Sequence, residues 1–224
     1  MDLLLNQKIF IVTGGAKGIG AAISKTLAAE GAVVVVAGRS KEDNQQIVDE
    51  IVRAKGKASA KTMELTDKEA CMELINFTLE KYGQIDGLIN NAGVNDSIGL
   101  ENGNPELFSA SLQKNLLHYY MLAHYALPAL KRAKGVIINI GSKVAVTGQG
   151  NTSGYAAAKG GVNALTREWA AELAPYSIRV NTVIPAEVWT PLYESWLSTL
   201  PDPEARRKQI EAKVPFEKRF TTSE

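Results

Sequence analysis

The sequence predicts an α/β protein with a single doubly wound parallel sheet and helices on both of its faces. Short apolar runs rich in β-branched residues alternate with segments of helical periodicity, which is typical of a parallel sheet. A glycine-rich turn follows the first of these runs, so the N-terminal part reads as a strand–turn–helix–strand unit. With 224 residues, 45% of them apolar, and no internal repeat or linker, we expect one domain over residues 1–224.

The elements follow from local sequence, in chain order. Lys8 to Thr13 and Val33 to Val36 are apolar runs that predict strands. Between them, Ala21 to Glu30 is a predicted helix that ends at a glycine. Asp67 is the expected N-cap of a later helix, and Pro105 the expected first residue of a long one. Beyond the first unit we predict helices at 41–55, 67–82, 105–132 and 152–174, and strands at 57–65, 86–89, 136–140 and 178–183.

Composition excludes several classes of function. The formal net charge is +1, so there is no electrostatic argument for a nucleic acid or an anionic membrane as partner. The longest wholly apolar run, 32–37, is too short to span a membrane, and the N-terminus lacks the apolar core of a signal peptide. Cys71 is the only cysteine, which excludes an internal disulfide and fits a reducing cytoplasm. With two histidines besides, we expect no metal site.

The turn after the first strand has the composition of a phosphate-binding loop. Glycines let the backbone approach a pyrophosphate, and the N-terminus of the next helix offers free N–H groups and the positive end of its dipole. The spacing differs from the commonest dinucleotide fingerprint, so the prediction depends on the whole strand–turn–helix–strand unit. The turn reads Gly14-Gly15-Ala16-Lys17-Gly18-Ile19-Gly20.

The residues after the second strand indicate which dinucleotide binds. A carboxylate there would bind the ribose 2′-hydroxyl of NAD, whereas an arginine accommodates the 2′-phosphate of NADP. The stretch 37–40 has no acid, and its Arg39 can bind a phosphate through two N–H groups, with Lys17 as a second cation. We therefore expect NADP, with NAD as the alternative. Glu64 and Leu65 end the third predicted strand, where an adenine would lie.

Three further residues have the properties of a proton-transfer site. Tyr155 and Lys159 are four residues apart on a predicted helix, so they lie on the same face. A lysine ammonium beside a phenol lowers the phenol pKa from about 10, which would let Tyr155 exchange a proton near neutral pH. Ser142 follows the predicted strand at 136–140 and can hold a substrate oxygen beside the phenol.

Together these motifs resemble the short-chain dehydrogenase/reductase family. The resemblance runs from Lys8 to about Thr190, with every motif in the family's order: the glycine turn, Asn90 to Gly93, Asn115, Ser142 and Tyr155-x-x-x-Lys159. It implies a Rossmann-type NAD(P)-binding domain and the catalytic set Asn115, Ser142, Tyr155 and Lys159.

The resemblance also implies a role for each catalytic residue. Tyr155 is the general acid/base, and Lys159 holds the nicotinamide ribose and lowers the Tyr155 pKa. Ser142 orients the substrate oxygen, and Asn115 holds a water in a proton relay. With the glycine turn and the 2′-phosphate site, the expected cofactor-binding residues are Gly14, Lys17, Gly18, Ile19, Gly20, Arg39, Glu64, Leu65, Asn90, Ala92, Gly93, Tyr155, Lys159, Pro185, Val188 and Thr190.

The sequence departs from the family pattern in two places. The family usually has Pro-Gly where this chain has Pro185-Ala186, and the added methyl restricts the loop. The family continues past the position of Glu224 with a helix and a last strand, which we expect to be missing here. An exposed sheet edge and an incomplete subunit interface would result.

Below the family level, several loops resemble L-fucose dehydrogenases and related sugar dehydrogenases. Polar side chains on these loops would bind hydroxyl groups, and the aromatic rings would stack on a sugar face or pack a lid over residues 186–214. The expected substrate-binding residues are Asn95, Asp96, Ser142, Gln149, Glu187, Trp189, Tyr193 and Trp196.

The predicted function is therefore hydride transfer between a secondary alcohol, such as that of the aldose L-fucose, and NADP. One alternative is a reductase of a ketosteroid or a 3-oxoacyl group, and another is a non-catalytic NADP-binding sensor. We expect a small-molecule substrate and a homo-oligomer, either a dimer or a tetramer.

Overall fold

The computed structural model describes residues 2–198, 201–212 and 220–221. Its centre is a sheet of six parallel strands in the order β3-β2-β1-β4-β5-β6, so the predicted doubly wound sheet is confirmed. A separate pair of short parallel strands, β7 and β8, was not predicted. The strands are β1 (Ile9–Thr13), β2 (Val33–Gly38), β3 (Lys57–Thr62), β4 (Gly87–Asn90), β5 (Val136–Ile140), β6 (Arg179–Val183), β7 (Val188–Trp189) and β8 (Phe220–Thr221).

Eight α-helices lie in the described part of the chain. The expected caps are present: the Asp67 carboxylate accepts the Glu69 N–H at 2.9 Å, and Pro105 opens its helix after Asn104. The helices are α1 (Gly18–Ala29), α2 (Lys41–Arg53), α3 (Lys68–Tyr82), α4 (Pro105–Leu112), α5 (His118–Ala133), α6 (Ser153–Leu173), α7 (Pro191–Ser198) and α8 (Pro203–Glu211).

The long helix predicted from Pro105 to about Arg132 is present, but it is not α-helical throughout. A π-helical turn, Gln113–Leu117, lies between α4 and α5. The apolar periodicity continues through this turn, so sequence pattern alone does not detect it. Asn115 lies within the turn, and its side chain bonds to groups inside and outside the helix, described below. Such π-turns frequently occur at functional sites.

Two apolar layers cover the sheet. Alternate residues of β1 point to opposite faces, so Ile9 and Ile11 belong to one layer and Phe10 and Val12 to the other. The first layer includes side chains of α3, α5 and α6, and the second includes side chains of α1 and α2. Both faces of the sheet are therefore covered. The carboxyl ends of all six parallel strands lie at the same end of the sheet, where α/β proteins bind their ligands.

Within the described residues, β6 is the outermost strand on its side of the sheet, and Val183 at its end is 55% exposed. Among the described residues, no helix is long and apolar enough to cross a membrane.

Candidate active site

The glycine turn closes over the carboxyl end of β1. Gly14 and Gly18 have positive φ angles of 60° and 53°, a conformation that side chains disfavour. At Gly20 a Cβ would lie 2.1 Å from the Gly14 carbonyl oxygen, so only glycine fits. Helix α1 begins at Gly18 and has no side-chain cap, so no capping side chain occupies its first N–H groups. These features fit a dinucleotide pyrophosphate.

The cations expected near the 2′-phosphate both have acidic neighbours. Lys17 Nζ lies 2.7 Å from Asp43 Oδ2, and Arg39 lies 3.9 Å from Glu64. The Arg39 side chain is 79% exposed, so its ion pair is weak and its guanidinium is accessible. The side chain of Leu65 is buried. The end of β2 therefore presents an accessible arginine close to the phosphate turn.

The segment after β4 is fastened to the end of β1. The backbone N–H groups of Asn91 and Ala92 donate to the Thr13 hydroxyl at 2.9 and 3.1 Å. The Asn91 side chain donates to the carbonyl oxygens of Thr13 and Gly14 at 2.9 and 3.2 Å. Asn90 is fully buried, and its amide donates to Asn139 Oδ1 on β5 at 2.9 Å. These bonds hold the segment beside the glycine turn.

Asn115 connects the π-turn to this same segment. Its Oδ1 accepts the Val94 N–H at 2.7 Å, and its Nδ2 donates to the Ser111 carbonyl oxygen at 3.0 Å. A Cβ on Gly93 would lie 2.9 Å from Asn115 Oδ1 and 3.6 Å from Lys159 Nζ. The backbone at Gly93 therefore packs directly against the predicted catalytic residues, and a side chain at this position would clash with Asn115.

Ser142 and Tyr155 lie next to each other. Ser142 follows β5 and caps the short helical turn Lys143–Ala145, and Tyr155 is in the first turn of α6. Burial raises the pKa of Tyr155, and a hydrogen bond with Ser142 lowers it in part. The serine can therefore direct the phenol toward a shared substrate oxygen.

The Lys159 side chain is buried and lies near Tyr155. Its Nζ donates to the Ile140 carbonyl oxygen at 2.7 Å and to the Tyr119 hydroxyl at 2.9 Å, and lies 5.7 Å from the centroid of the Tyr155 ring. We expected Lys159 to lower the Tyr155 pKa. In this structure the effect of burial on Tyr155 dominates, because the ammonium is directed at other oxygen atoms. Tyr119 was not anticipated from the sequence.

Comparison with known proteins agrees with this arrangement. Residues 8–200 match the family model described as short chain dehydrogenase. The chain belongs to the short-chain dehydrogenase family. It is therefore an oxidoreductase acting on CH–OH groups, and its family uses NAD or NADP as cofactor. Membership of this family excludes the alternative of a non-catalytic NADP-binding sensor.

Individual relatives carry different names. The chain is 34% identical over 213 residues to the 3-oxoacyl-[acyl-carrier-protein] reductase of Thermotoga maritima, covering 95% of this chain and 84% of that protein. It is 35% identical over 199 residues to the L-fucose dehydrogenase of Rattus norvegicus, covering 88% and 72%. The crystal structure of Cj0485 dehydrogenase superposes with a TM-score of 0.92 at 39% identity, over 100% of this chain and 85% of that one.

In this family member the segment after β6 faces both the glycine turn and the serine. A Cβ on Gly18 would lie 3.3 Å from the Thr190 side chain, so Thr190 is opposite the turn. The Pro185 carbonyl oxygen accepts the Lys143 N–H at 3.0 Å. Val188 lies in β7. Of the three cofactor-binding residues predicted on this segment, the structure thus brings Pro185 and Thr190 next to other parts of the site.

The predicted substrate residues have partners within the protein. Glu187 pairs with Lys143 and accepts the Tyr193 hydroxyl at 2.9 Å. The Tyr193 ring lies 5.7 Å from Trp189 and 5.4 Å from Trp196, so the three aromatic side chains pack on one another. Whether these rings belong to a lid or stack on a sugar stays a prediction.

The remaining rim residues lie on two adjoining loops. Asp96 accepts the Ser111 hydroxyl at 2.8 Å, while Asn95 accepts the N–H of Ser97 at 3.2 Å and shapes its own turn. Gln149 is exposed. At the start of α6, the Gly154 N–H donates to the Ile98 carbonyl oxygen at 3.1 Å and so connects the two regions.

Sequence reasoning did not single out four residues that support the site: Thr13, Asn91, Tyr119 and Lys143. Asn91 lies within the predicted motif Asn90 to Gly93, although no role was assigned to it, and Lys143 follows Ser142. Tyr119 gives no signal of its own, because an aromatic residue on a buried helix face is ordinarily core.

Proposed function

We propose that this protein oxidises a secondary alcohol of an aldose such as L-fucose with NADP, using Ser142, Tyr155 and Lys159. The observation that carries the proposal is the juxtaposition of these three side chains. Tyr155 interacts with Ser142, its ring lies 5.7 Å from Lys159 Nζ, and Gly93 keeps the adjoining space free of a side chain.

The residues fit a nicotinamide dinucleotide. The glycine turn and the start of α1 would hold the pyrophosphate, and Asn90 to Gly93, Val188 and Thr190 would border the nicotinamide. Arg39, with Lys17 beside it, would bind the 2′-phosphate of NADP, and Glu64 and Leu65 would border the adenine. When bound, the oxidised nicotinamide supplies a hydride acceptor for the carbon that bears the hydroxyl.

The protein's own groups handle the proton. Ser142 donates a hydrogen bond to the substrate oxygen and fixes it beside Tyr155. As the phenolate, Tyr155 removes the hydroxyl proton while the C–H hydride leaves, and the C–O bond becomes a carbonyl. Lys159, as the ammonium, stabilises the phenolate and binds the ribose. With a cyclic aldose oxidised at its anomeric carbon, the product is a lactone.

The substrate proposal draws on two observations. Relatives named L-fucose dehydrogenase are 35% identical to this chain over 88% of its length, and the rim of the site carries polar groups. Reduction of a ketone is the second candidate, because a 3-oxoacyl reductase and a 3α-hydroxysteroid dehydrogenase match at 34% identity each. The apolar cluster of Trp189, Tyr193 and Trp196 would suit a steroid.

A turnover panel tests the proposal. The kcat/KM values are compared for oxidation of L-fucose and other aldoses with NADP, and for reduction of a 3-oxoacyl thioester and a ketosteroid with NADPH. Aldose oxidation should exceed the other reactions at least tenfold. Ketone reduction without turnover of any aldose would replace the first candidate by the second.

We also propose a cytoplasmic homo-oligomer, a dimer or a tetramer. Leu107, Phe108, Leu117 and Tyr120 expose apolar surface on the continuous stretch from α4 to α5, which a second copy would cover. Light scattering of the purified protein measures the number of copies, and a monomer at micromolar concentration would contradict the proposal.

A further inference from the structure

A second tyrosine, Tyr119, contacts the predicted catalytic Lys159. Tyr119 is the second residue of α5, which follows the π-turn that carries Asn115, and it is fully buried. Its hydroxyl accepts a hydrogen bond from Lys159 and donates one to the Ile140 carbonyl oxygen at 3.2 Å. Lys159 donates to that same carbonyl. Ammonium, phenol and carbonyl therefore form a closed triangle of hydrogen bonds.

We propose that Tyr119 is a positioning residue for Lys159, whose ammonium its phenol fixes against the end of β5. The proposal rests on the proposed function, in which Lys159 has to be charged and close to Tyr155. Lys159 Nζ lies 4.9 Å from the centroid of the Tyr119 ring and 5.7 Å from that of Tyr155. Both distances allow a cation–π interaction, so two aromatic rings lie within reach of the ammonium.

The Tyr119 hydroxyl is an important acceptor because the Lys159 ammonium is buried. Lys159 is 2% exposed, and burial lowers its pKa to about 7. The titratable groups that face it are His118 and Tyr119 from α5 and Tyr155 from α6. Burial lowers the pKa of His118 to about 4 and raises that of Tyr119 well above its usual value, so both are neutral at pH 7.

Within the described part of the chain, the hydrogen bonds of Lys159 go to two uncharged oxygen atoms. No ion pair with a carboxylate offsets the burial of the ammonium there. The loss of one neutral acceptor therefore has a large effect on the charge of the lysine.

The same hydroxyl also connects the three elements that carry the predicted catalytic residues. Ile140 ends β5, two residues before Ser142, and Lys159 belongs to α6. Tyr119 follows Asn115 by four residues. Because the phenol bonds to both β5 and α6, it sets the position of the lysine relative to the serine and the π-turn.

The first experiment measures the lysine itself. In protein labelled with ¹³C and ¹⁵N lysine, the Cε–Nζ signal of Lys159, assigned by its loss in Lys159→Met, reports its pKa by NMR. Tyr119→Phe keeps the ring and removes the hydroxyl, so the Lys159 pKa should fall by about one unit. Tyr176→Phe is the matched control, because that side chain is 45% exposed after the end of α6, and it should leave the pKa unchanged.

Cofactor affinity gives a second readout. NADPH binding is followed by its fluorescence at pH 7 and at pH 5.5. Tyr119→Phe should weaken binding roughly fivefold at pH 7, where a lysine with a lower pKa has lost its proton, and much less at pH 5.5. A purely structural defect would weaken binding equally at both pH values.

The outcomes separate the two proposals. If Lys159→Met leaves NADPH affinity unchanged, the role of Lys159 in the proposed function is wrong. If Lys159→Met weakens binding, but folded Tyr119→Phe keeps the Lys159 pKa and the NADPH affinity of the unmutated protein, only the positioning role is overturned.

A misfolded Tyr119→Phe variant would leave a test in the unmutated protein. With tyrosines labelled at ¹³Cζ, a buried tyrosine that does not itself titrate should shift as Lys159 loses its proton. That shift should vanish in Lys159→Met, and its absence from the unmutated protein would overturn the proposal.

Discussion

Lys143 and Glu187 form an ion pair that joins the turn after β5 to the segment after β6. Tyr193 donates its hydroxyl to the same carboxylate at 2.9 Å, and the Lys143 N–H donates to the Pro185 carbonyl oxygen at 3.0 Å. Because Lys143 directly follows Ser142, these contacts connect the predicted catalytic serine to the predicted substrate loop at 186–214. The carboxylate that we expected to bind substrate also orients this loop.

This contact predicts that Lys143→Met and Glu187→Ala will each raise KM for L-fucose, by about fivefold or more, and leave NADP affinity unchanged. The double variant should be no worse than the single ones, because both remove the same ion pair. Gln149→Ala should raise KM independently, so its effect should add to theirs. An unchanged KM in Lys143→Met beside a raised one in Glu187→Ala would mean that the carboxylate acts on the substrate alone.

Tyr155→Phe should lower kcat at least ~100-fold while the cofactor still binds, because the change removes only the hydroxyl that exchanges the proton. Steady-state turnover and NADPH fluorescence measure the two effects separately. Tyr176→Phe, at an exposed position after α6, is the control and should turn over normally. Retention of more than roughly a tenth of the activity would exclude Tyr155 as the acid/base.

Arg39→Ala should weaken NADP by about ten- to a hundredfold and leave NAD nearly unaffected, because only NADP carries the 2′-phosphate that the guanidinium would bind. The side chain is 79% exposed and its pairing with Glu64 is long, so stability should change little. Arg53→Ala, at the end of α2, controls for the loss of a surface charge. Equal losses of affinity for both cofactors would contradict the assignment of Arg39.

The rate of alcohol oxidation should rise with pH, because Tyr155 has to lose its proton and burial raises its pKa. Lys159→Met removes the nearby cation that favours the phenolate, so the rising limb should move to higher pH. The kcat profile between pH 6 and 10, with NADP saturating, measures this shift. A limb that stays in place would confine the lysine to cofactor binding.

His118 should make the fold sensitive to acid. Burial lowers its pKa to about 4 from 6.5, so between these values the unfolded chain binds more protons than the folded one. This contribution to stability is complete above pH 6.5 and decreases as pH falls to 4, by at most about 3 kcal/mol. Urea unfolding at pH 7 and 4.5 should show a smaller loss for His118→Gln than for the unmutated protein.

The exposed His124 on the same helix provides the control for that experiment. His124→Gln should keep the acid sensitivity of the unmutated protein. The same loss of stability in His118→Gln and in the unmutated protein would assign the acid sensitivity to other groups.

The sequence by itself determined the order of the elements, the parallel sheet and the positions of the motifs. These depend on local chemistry: β-branched runs form buried strands, Asp67 caps α3, and glycines occupy backbone conformations such as that of Gly14. The family follows as well, because its motifs are short stretches in a fixed order. Chain connectivity then brings the ends of parallel strands to one edge, so the region of the site is predictable too.

Only the tertiary structure decided how the side chains pair within that region. Lys159 and Tyr119 are 40 residues apart, and Lys143 and Glu187 are 44 apart, so no periodicity relates them. The π-turn at Asn115 keeps the apolar pattern of a helix, and it is fixed by a bond to Val94 from another segment. The direction of the Lys159 ammonium depends on which oxygen atoms the packed helices and strand bring within reach, and only the folded chain specifies these.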